Sequence, residues 1–379
     1  MKRNQFKRLH RGVALPLGLA VLLALPTLAG YAAPPDNAGE ADPLSSLKKG
    51  KDAYEAKEFE TAVKAFRAAA EPGIAEAQYL LGECYIKGDG VKADPAEAVK
   101  WYRKAADQGF AKAQNSLGFC YDNGEGVKKD PAEAVKWYRL AADQGLAKAQ
   151  FNLGISYLTG EGVKADPAES AKWFRKAAEQ GDVAAQYNLG MFFLRGRGVK
   201  EDPAEALKWL RKAAEQGDVM AQYNLAVCCF EGTGVGQNKS EAFKWYRKAA
   251  EQGLAMAQCN LGSCYALGDG VGLDLVEAVK WYRKAAEQGD TTGQYDLARC
   301  YDQGFGVEQD FAEAAKWYRK AAEQGHVKAM TYLALCCECG DGVEEDLVEA
   351  VKWYKKAADL GSDLAKEALS RLKAAEENQ

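Results

Sequence analysis

The sequence predicts an all-α fold, an α-solenoid or superhelix of stacked 36-residue helix-turn-helix repeats, and three observations predict it. All eight tryptophans, Trp101, Trp137, Trp173, Trp209, Trp245, Trp281, Trp317 and Trp353, lie 36 residues apart without a slip. A fixed period in this range signals stacked supersecondary units. Around each tryptophan stand close copies of one stretch, written "EAVKWYRKAAEQGD" from Glu277 to Asp290. Each copy is preceded by a second segment of helical periodicity and a Gly-x-Gly loop. The chain, at 379 residues, is long for one compact domain. An array escapes that limit because each unit packs only on its neighbours.

In chain order, the first 32 residues stand apart from the rest. Lys2, Arg3, Lys7, Arg8 and Arg11 precede an apolar run from Gly12 to Leu28 and the small-residue cluster "AGYAAPP". That is the layout of a secretory signal peptide, with cleavage expected after Ala32. Cleavage removes five basic residues and no acidic one, taking the formal charge from -4 to -9. The apolar run is short for a membrane helix and contains Pro16 and Pro26, so no stable span is expected once the signal is cut. Tyr31 stands where a lipoprotein signal carries its cysteine. Residues 33–44 read as a flexible linker. Residues 45–74, with Gly50, Tyr54, Phe59, Ala62 and Phe66, read as a shorter hairpin that caps the array. The full units run 75–110, 111–146, 147–182, 183–218, 219–254, 255–290, 291–326 and 327–362. Residues 363–379 form a final capping helix with a polar outer face.

The unit Ala111–Leu146 shows why each half is helical. Ala113, Leu117, Gly118 and Tyr121 make one stripe of a 3.6-residue helix, called helix A below. It stops at "NGEGV", where Gly124 or Gly126 takes the positive φ that ends a helix. Helix B starts at "DPAE", with Asp130 as N-cap, Pro131 at the first helical position and Glu133 placed to bond back to the cap. Its stripe is Ala134, Trp137, Tyr138, Ala141 and Ala142, closed by Gly145. Neither stripe is buried until the hairpins stack.

"AQYNLG" at Ala185–Gly190, followed by "GRGV", "DPAEA" and "KWLRKAAEQGD", resembles the Sel-one-like repeat, a relative of the tetratricopeptide repeat. The resemblance covers residues 75–362, and the shorter unit at 45–74 resembles an ordinary tetratricopeptide repeat. It implies an α-solenoid scaffold that binds proteins or peptides, often in exported bacterial proteins. A cysteine-rich branch of the family staples helix A to helix B within each repeat, whereas helix B here contains no cysteine.

Catalytic chemistry has little to draw on. Once the signal is removed, His326 is the only histidine, and it reads as a solvated residue in the turn between units. The recurring glutamates, Glu97 to Glu349, all sit at the third position of helix B, as capping requires. "SLKK" at Ser46–Lys49 and "SRLK" at Ser370–Lys373 match a Ser-x-x-Lys pattern but lack its companion motifs. The Gly-x-Gly loops follow no strand, which excludes a phosphate-binding fingerprint. No cofactor or metal is expected, and the acidic balance argues against nucleic acid as a partner.

Cys84, Cys120, Cys228, Cys264, Cys300 and Cys336 share one column of helix A. Equivalent positions in stacked helices stand about 8–10 Å apart, too far for a disulfide. Cys229 and Cys337 replace a core tyrosine. A Cys229–Cys259 bridge between neighbouring hairpins is conceivable, and buried free thiols are the default. Cys336, Cys337 and Cys339 lack the second spaced pair of a zinc site.

The partner surface is expected on the concave side, lined by helix A. Asn152, Asn188, Asn224 and Asn260 form a row of amides at the repeat spacing, able to bond the backbone of an extended peptide. Ile155 and Met191, with Leu158, Leu194 and Phe230, make repeats 3 to 5 the most apolar part of that groove. The expectation is thus an exported, periplasmic or secreted, non-enzymatic scaffold for a protein or peptide of unknown identity. The alternatives are a hydrolase of peptidoglycan-related or β-lactam amide bonds, by analogy with the cysteine-rich branch, and a passive envelope spacer.

Overall fold

The structure, a computed structural model, describes residues 42–377. The expected signal peptide and nearly all of the expected linker lie outside those residues. Among the described residues there are 19 helices and no strand. The first hairpin is α1 (Pro43–Glu55) with α2 (Phe59–Ala70), so the last two residues of the expected linker are already helical.

The A helices are α3 (Ala75–Lys87), α5 (Ala111–Asn123), α7 (Ala147–Thr159), α9 (Val183–Arg195), α11 (Val219–Glu231), α13 (Ala255–Leu267), α15 (Thr291–Gln303) and α17 (Val327–Cys339). The B helices are α4 (Pro95–Asp107), α6 (Pro131–Asp143), α8 (Pro167–Glu179), α10 (Pro203–Glu215), α12 (Lys239–Glu251), α14 (Leu275–Glu287), α16 (Phe311–Glu323) and α18 (Leu347–Asp359). The last helix is α19 (Asp363–Glu377). Each helix packs on the one before it and the one after it, the contact pattern of a solenoid.

The helix boundaries follow from local chemistry. Asp130 caps α6 by accepting from the amides of Ala132 and Glu133, both at 3.1 Å, with Pro131 at the first helical position. The Glu133 carboxylate does not turn back to the cap as a capping box would have it. It reaches forward to Lys136 Nζ at 2.8 Å and accepts from Trp137 Nε1 at 3.0 Å. Gly124 ends α5 in the left-handed region at φ 73°.

Lysines cover the buried tryptophan rings. Lys104, Lys176, Lys284 and Lys320 each stand 3.8 Å from the ring centroid of the tryptophan three residues earlier.

A polar device that no stripe or cap in the sequence marks closes repeats 1 to 7. Gln78, Gln114, Gln150, Gln186, Gln222, Gln258 and Gln294, near the start of helix A, are buried. Each donates to the carbonyl of the alanine eight residues earlier, at the end of the preceding B helix, as Gln222 does to Ala214 at 3.1 Å. Each also accepts from the glutamine 30 residues later, at the end of its own B helix, as Gln222 does from Gln252 at 2.8 Å. One side chain thereby ties three helices in sequence, satisfying polar groups where helix ends leave them open. In the last repeat both partners become apolar together, as Met330 and Leu360.

Candidate protein-binding face

Each A helix buries one stripe and leaves the other side accessible. In α3 the buried residues are Ala77, Gln78, Leu81, Gly82, Cys84 and Tyr85. The amide row lies at the edge of the accessible side, where Asn152, Asn188, Asn224 and Asn260 are all half-buried. Three of the four already bond within the array. Asn152 Nδ2 donates to Asn115 Oδ1 at 2.9 Å, across to the preceding A helix. Asn188 donates to the Ala184 carbonyl at 2.7 Å and Asn224 to that of Met220 at 2.8 Å. Asn152 thus links two A helices, whereas Asn188 and Asn224 bond back within their own helix, and each amide keeps part of its capacity of two donors and two acceptor pairs.

Ile155 and Met191 are half-buried rather than opposite the core, and they pack against its flank. Among the apolar residues of the same column, the most open are Phe119 in repeat 2 and Leu335 in repeat 8, which are 45% and 41% exposed. Accessible apolar surface in this column thus extends to repeat 2, beside the expected groove of repeats 3 to 5. Variation at this column, already visible in the sequence, was the signal for both.

In repeat 7 the amide row changes character. Asp296 occupies the asparagine position and is largely buried; burial pushes its carboxyl up to about 6 even though Arg299, at 3.5 Å, and Lys328 pull it down. A raised carboxyl pKa means that its stability contribution is complete below the ordinary carboxylate range and is lost as pH rises through about 6. Asp296→Asn is accordingly expected to raise stability by about 1 kcal/mol at pH 7.5, after allowing for the lost Arg299 pair. Thermal melts at pH 4 and pH 7.5 check this: the gain should appear only at the higher pH.

His326 is not a solvated turn residue. It is the N-cap of α17, where Nδ1 accepts from the Ala329 amide at 3.1 Å. Its ring stacks on Tyr295 with centroids 4.6 Å apart. Burial and Lys328 lower its pKa, consistent with a neutral ring that keeps an acceptor free for the cap. Asp182, Asp218 and Asp290 cap other A helices from the same position.

Arginines of the B helices reach across to the next repeat. Arg67, Arg103, Arg139 and Arg283 donate to the hydroxyls of Tyr85, Tyr121, Tyr157 and Tyr301. Where cysteine replaces that tyrosine, at Cys229 and Cys337, the arginine swings to a carboxylate instead. Arg211 pairs with Glu241 at 2.7 Å and Arg319 with Glu349 at 2.5 Å. All ten cysteines are free, Cys229 and Cys259 included, and all but Cys339 are buried. Burial pushes Cys84, Cys120 and Cys336 up to about 12, far from a thiolate at neutral pH. Among the described residues no three His, Cys, Asp or Glu side chains converge as metal ligands would, and no helix is long and apolar enough to cross a membrane.

The Sel1 repeat pattern matches residues 75–110, 111–146, 147–182, 183–218, 219–254, 255–290, 291–326 and 327–362. The chain belongs to the Sel1 repeat family. Among solved structures, this Sel1 repeat chain is similar to a protective antigen present in uropathogenic Escherichia coli strains, which displays an SLR fold. The two share 36% identity and a TM-score of 0.74, over 87% of this chain and 79% of the antigen. A Sel1 repeat protein from Oxalobacter formigenes is 34% identical with a TM-score of 0.63, over 90% of this chain and 98% of that one. No curated protein matches the chain.

Proposed function

We propose that this Sel1 repeat protein is an exported scaffold that holds a protein or peptide along the accessible, concave side of its A helices. Sel1 repeat proteins are generally protein-interaction scaffolds and are typically non-enzymatic. The observation that carries the proposal is the paired rows on successive A helices. Phe119, Ile155, Met191 and Val227 supply accessible apolar surface, and Asn152, Asn188, Asn224 and Asn260 run beside them with hydrogen-bonding capacity left over. An extended backbone laid along this side would meet one amide and one apolar side chain per repeat. Residues 1–32 are the segment that would direct export, and residues 45–74 and 363–379 would cap the array at its ends.

The test uses envelope extract from the host and an immobilised array, with Asn188→Ala plus Asn224→Ala as the control. The expected result is a partner retained by the wild type and bound at least about tenfold more weakly by the double variant, with an unchanged melting temperature. A variant that melts earlier yet keeps its affinity would show the asparagines to be structural only. The absence of any differential partner would favour a passive spacer.

A further inference from the structure

The loops between helix A and helix B line up along one edge of the array. Each loop lies against the first turn of the preceding B helix. Gly126 and Gly162 approach the carbonyls of Pro95 and Pro131, and Gly306 and Gly342 those of Leu275 and Phe311, so closely that a Cβ would stand 2.0–2.1 Å away. The loops thus form one continuous ridge in repeat order.

Two properties change along this ridge, the first at solvent-exposed positions and the second at exposed or half-buried ones. Two residues before the N-cap of helix B the charge runs Lys92, Lys128, Lys164, Lys200, then glycine twice, then Glu308 and Glu344. At the first two positions of helix B, repeats 1 to 4 carry Pro-Ala. Repeats 6 to 8 carry Leu275-Val276, Phe311-Ala312 and Leu347-Val348, with Val348 82% exposed. Neither change serves the hairpin itself, because an aspartate caps helix B in the same way at both ends of the array. Exposed apolar groups flanked by carboxylates at one end, and lysines beside flat Pro-Ala steps at the other, complement each other.

A second copy turned end over end brings repeat 1 opposite repeat 8 and repeat 2 opposite repeat 7. Lys92 then faces Glu344 of the partner subunit, and Lys128 faces Glu308 of the partner subunit. The glycine-bearing repeats 5 and 6 meet Lys200 and Lys164 near the centre, where no like charges oppose. Every contact occurs twice, as an isologous interface requires. We propose that the protein forms an antiparallel twofold dimer through this ridge, with the charge columns setting register and the apolar residues of repeats 6 to 8 supplying the contact. This proposal is independent of the binding side assigned to the A helices.

Sedimentation equilibrium tests it. The wild type should show a closed species of twice the chain mass that weakens as salt approaches about 1 M, where screening acts within about 3 Å. Lys92→Glu plus Lys128→Glu, and separately Glu308→Lys plus Glu344→Lys, should each raise the dissociation constant at least about tenfold. An equimolar mixture of the two variants should recover the dimer, because each reversed column meets the other. Circular dichroism melts confirm that the variants are folded, and the salt series on the wild type stands if one is not. A monomer at all soluble concentrations, a dimer indifferent to both reversals and to salt, or open-ended assemblies would each overturn the proposal.

Discussion

Gly126→Ala is expected to destabilise the array by about 4 kcal/mol, the largest effect of any single methyl group considered. Two causes act together. The residue sits at φ 70°, where an L side chain is strained by about 1–2 kcal/mol. The new Cβ would also stand 2.1 Å from the Pro95 carbonyl oxygen and 2.3 Å from its carbon, both backbone atoms that cannot turn aside. Gly145→Ala is the internal control, since φ there is 91° but nothing lies within 4 Å of the added atom. Its cost should be only the conformational one, about 1–2 kcal/mol. Because a repeat array opens in segments, the comparison is best made by amide exchange in repeats 1 and 2 alongside thermal melts. Equal effects for the two glycines would refute the close-approach argument.

Gln222→Met should cost about 2 kcal/mol, because it removes two hydrogen bonds, the one from the buried Gln222 amide to the Ala214 carbonyl and the one that Gln222 accepts from Gln252. The last repeat shows how the array dispenses with the pair, placing Met330 and Leu360 at the corresponding positions. Gln222→Met with Gln252→Leu is therefore expected to be more stable than Gln222→Met alone, recovering about 1 kcal/mol. Denaturant melts of the two single variants and the double close the cycle. A double variant whose loss equals the sum of the singles would mean that the two glutamines do not act as a pair.

The side chains that make these predictions divide into those a reader of the sequence finds and those it conceals. Asp130, Pro131 and Gly124 act on residues two to four positions away, so their roles were legible directly. Gln222 and Gln252 are 30 residues apart, and neither a stripe nor a cap marks them. Only their joint recurrence, and their joint replacement at Met330 and Leu360, hinted at a partnership. His326 misled for the same reason: its turn position was plain, while its Tyr295 neighbour stands a full repeat away. The asparagine row was found from its spacing, but the bond from Asn152 to Asn115 crosses to the preceding repeat. That bond makes Asn152 part of the link between A helices as well as a candidate contact residue.

The sequence by itself determined the period, the two helices per unit and their ends, because periodicity, N-caps and positive-φ glycines act within a single helical turn of the chain. Only the tertiary structure decided which polar groups are consumed inside the array and which loops align into one ridge. Those outcomes depend on how residues 30 to 36 positions apart are brought together when one hairpin stacks on the next.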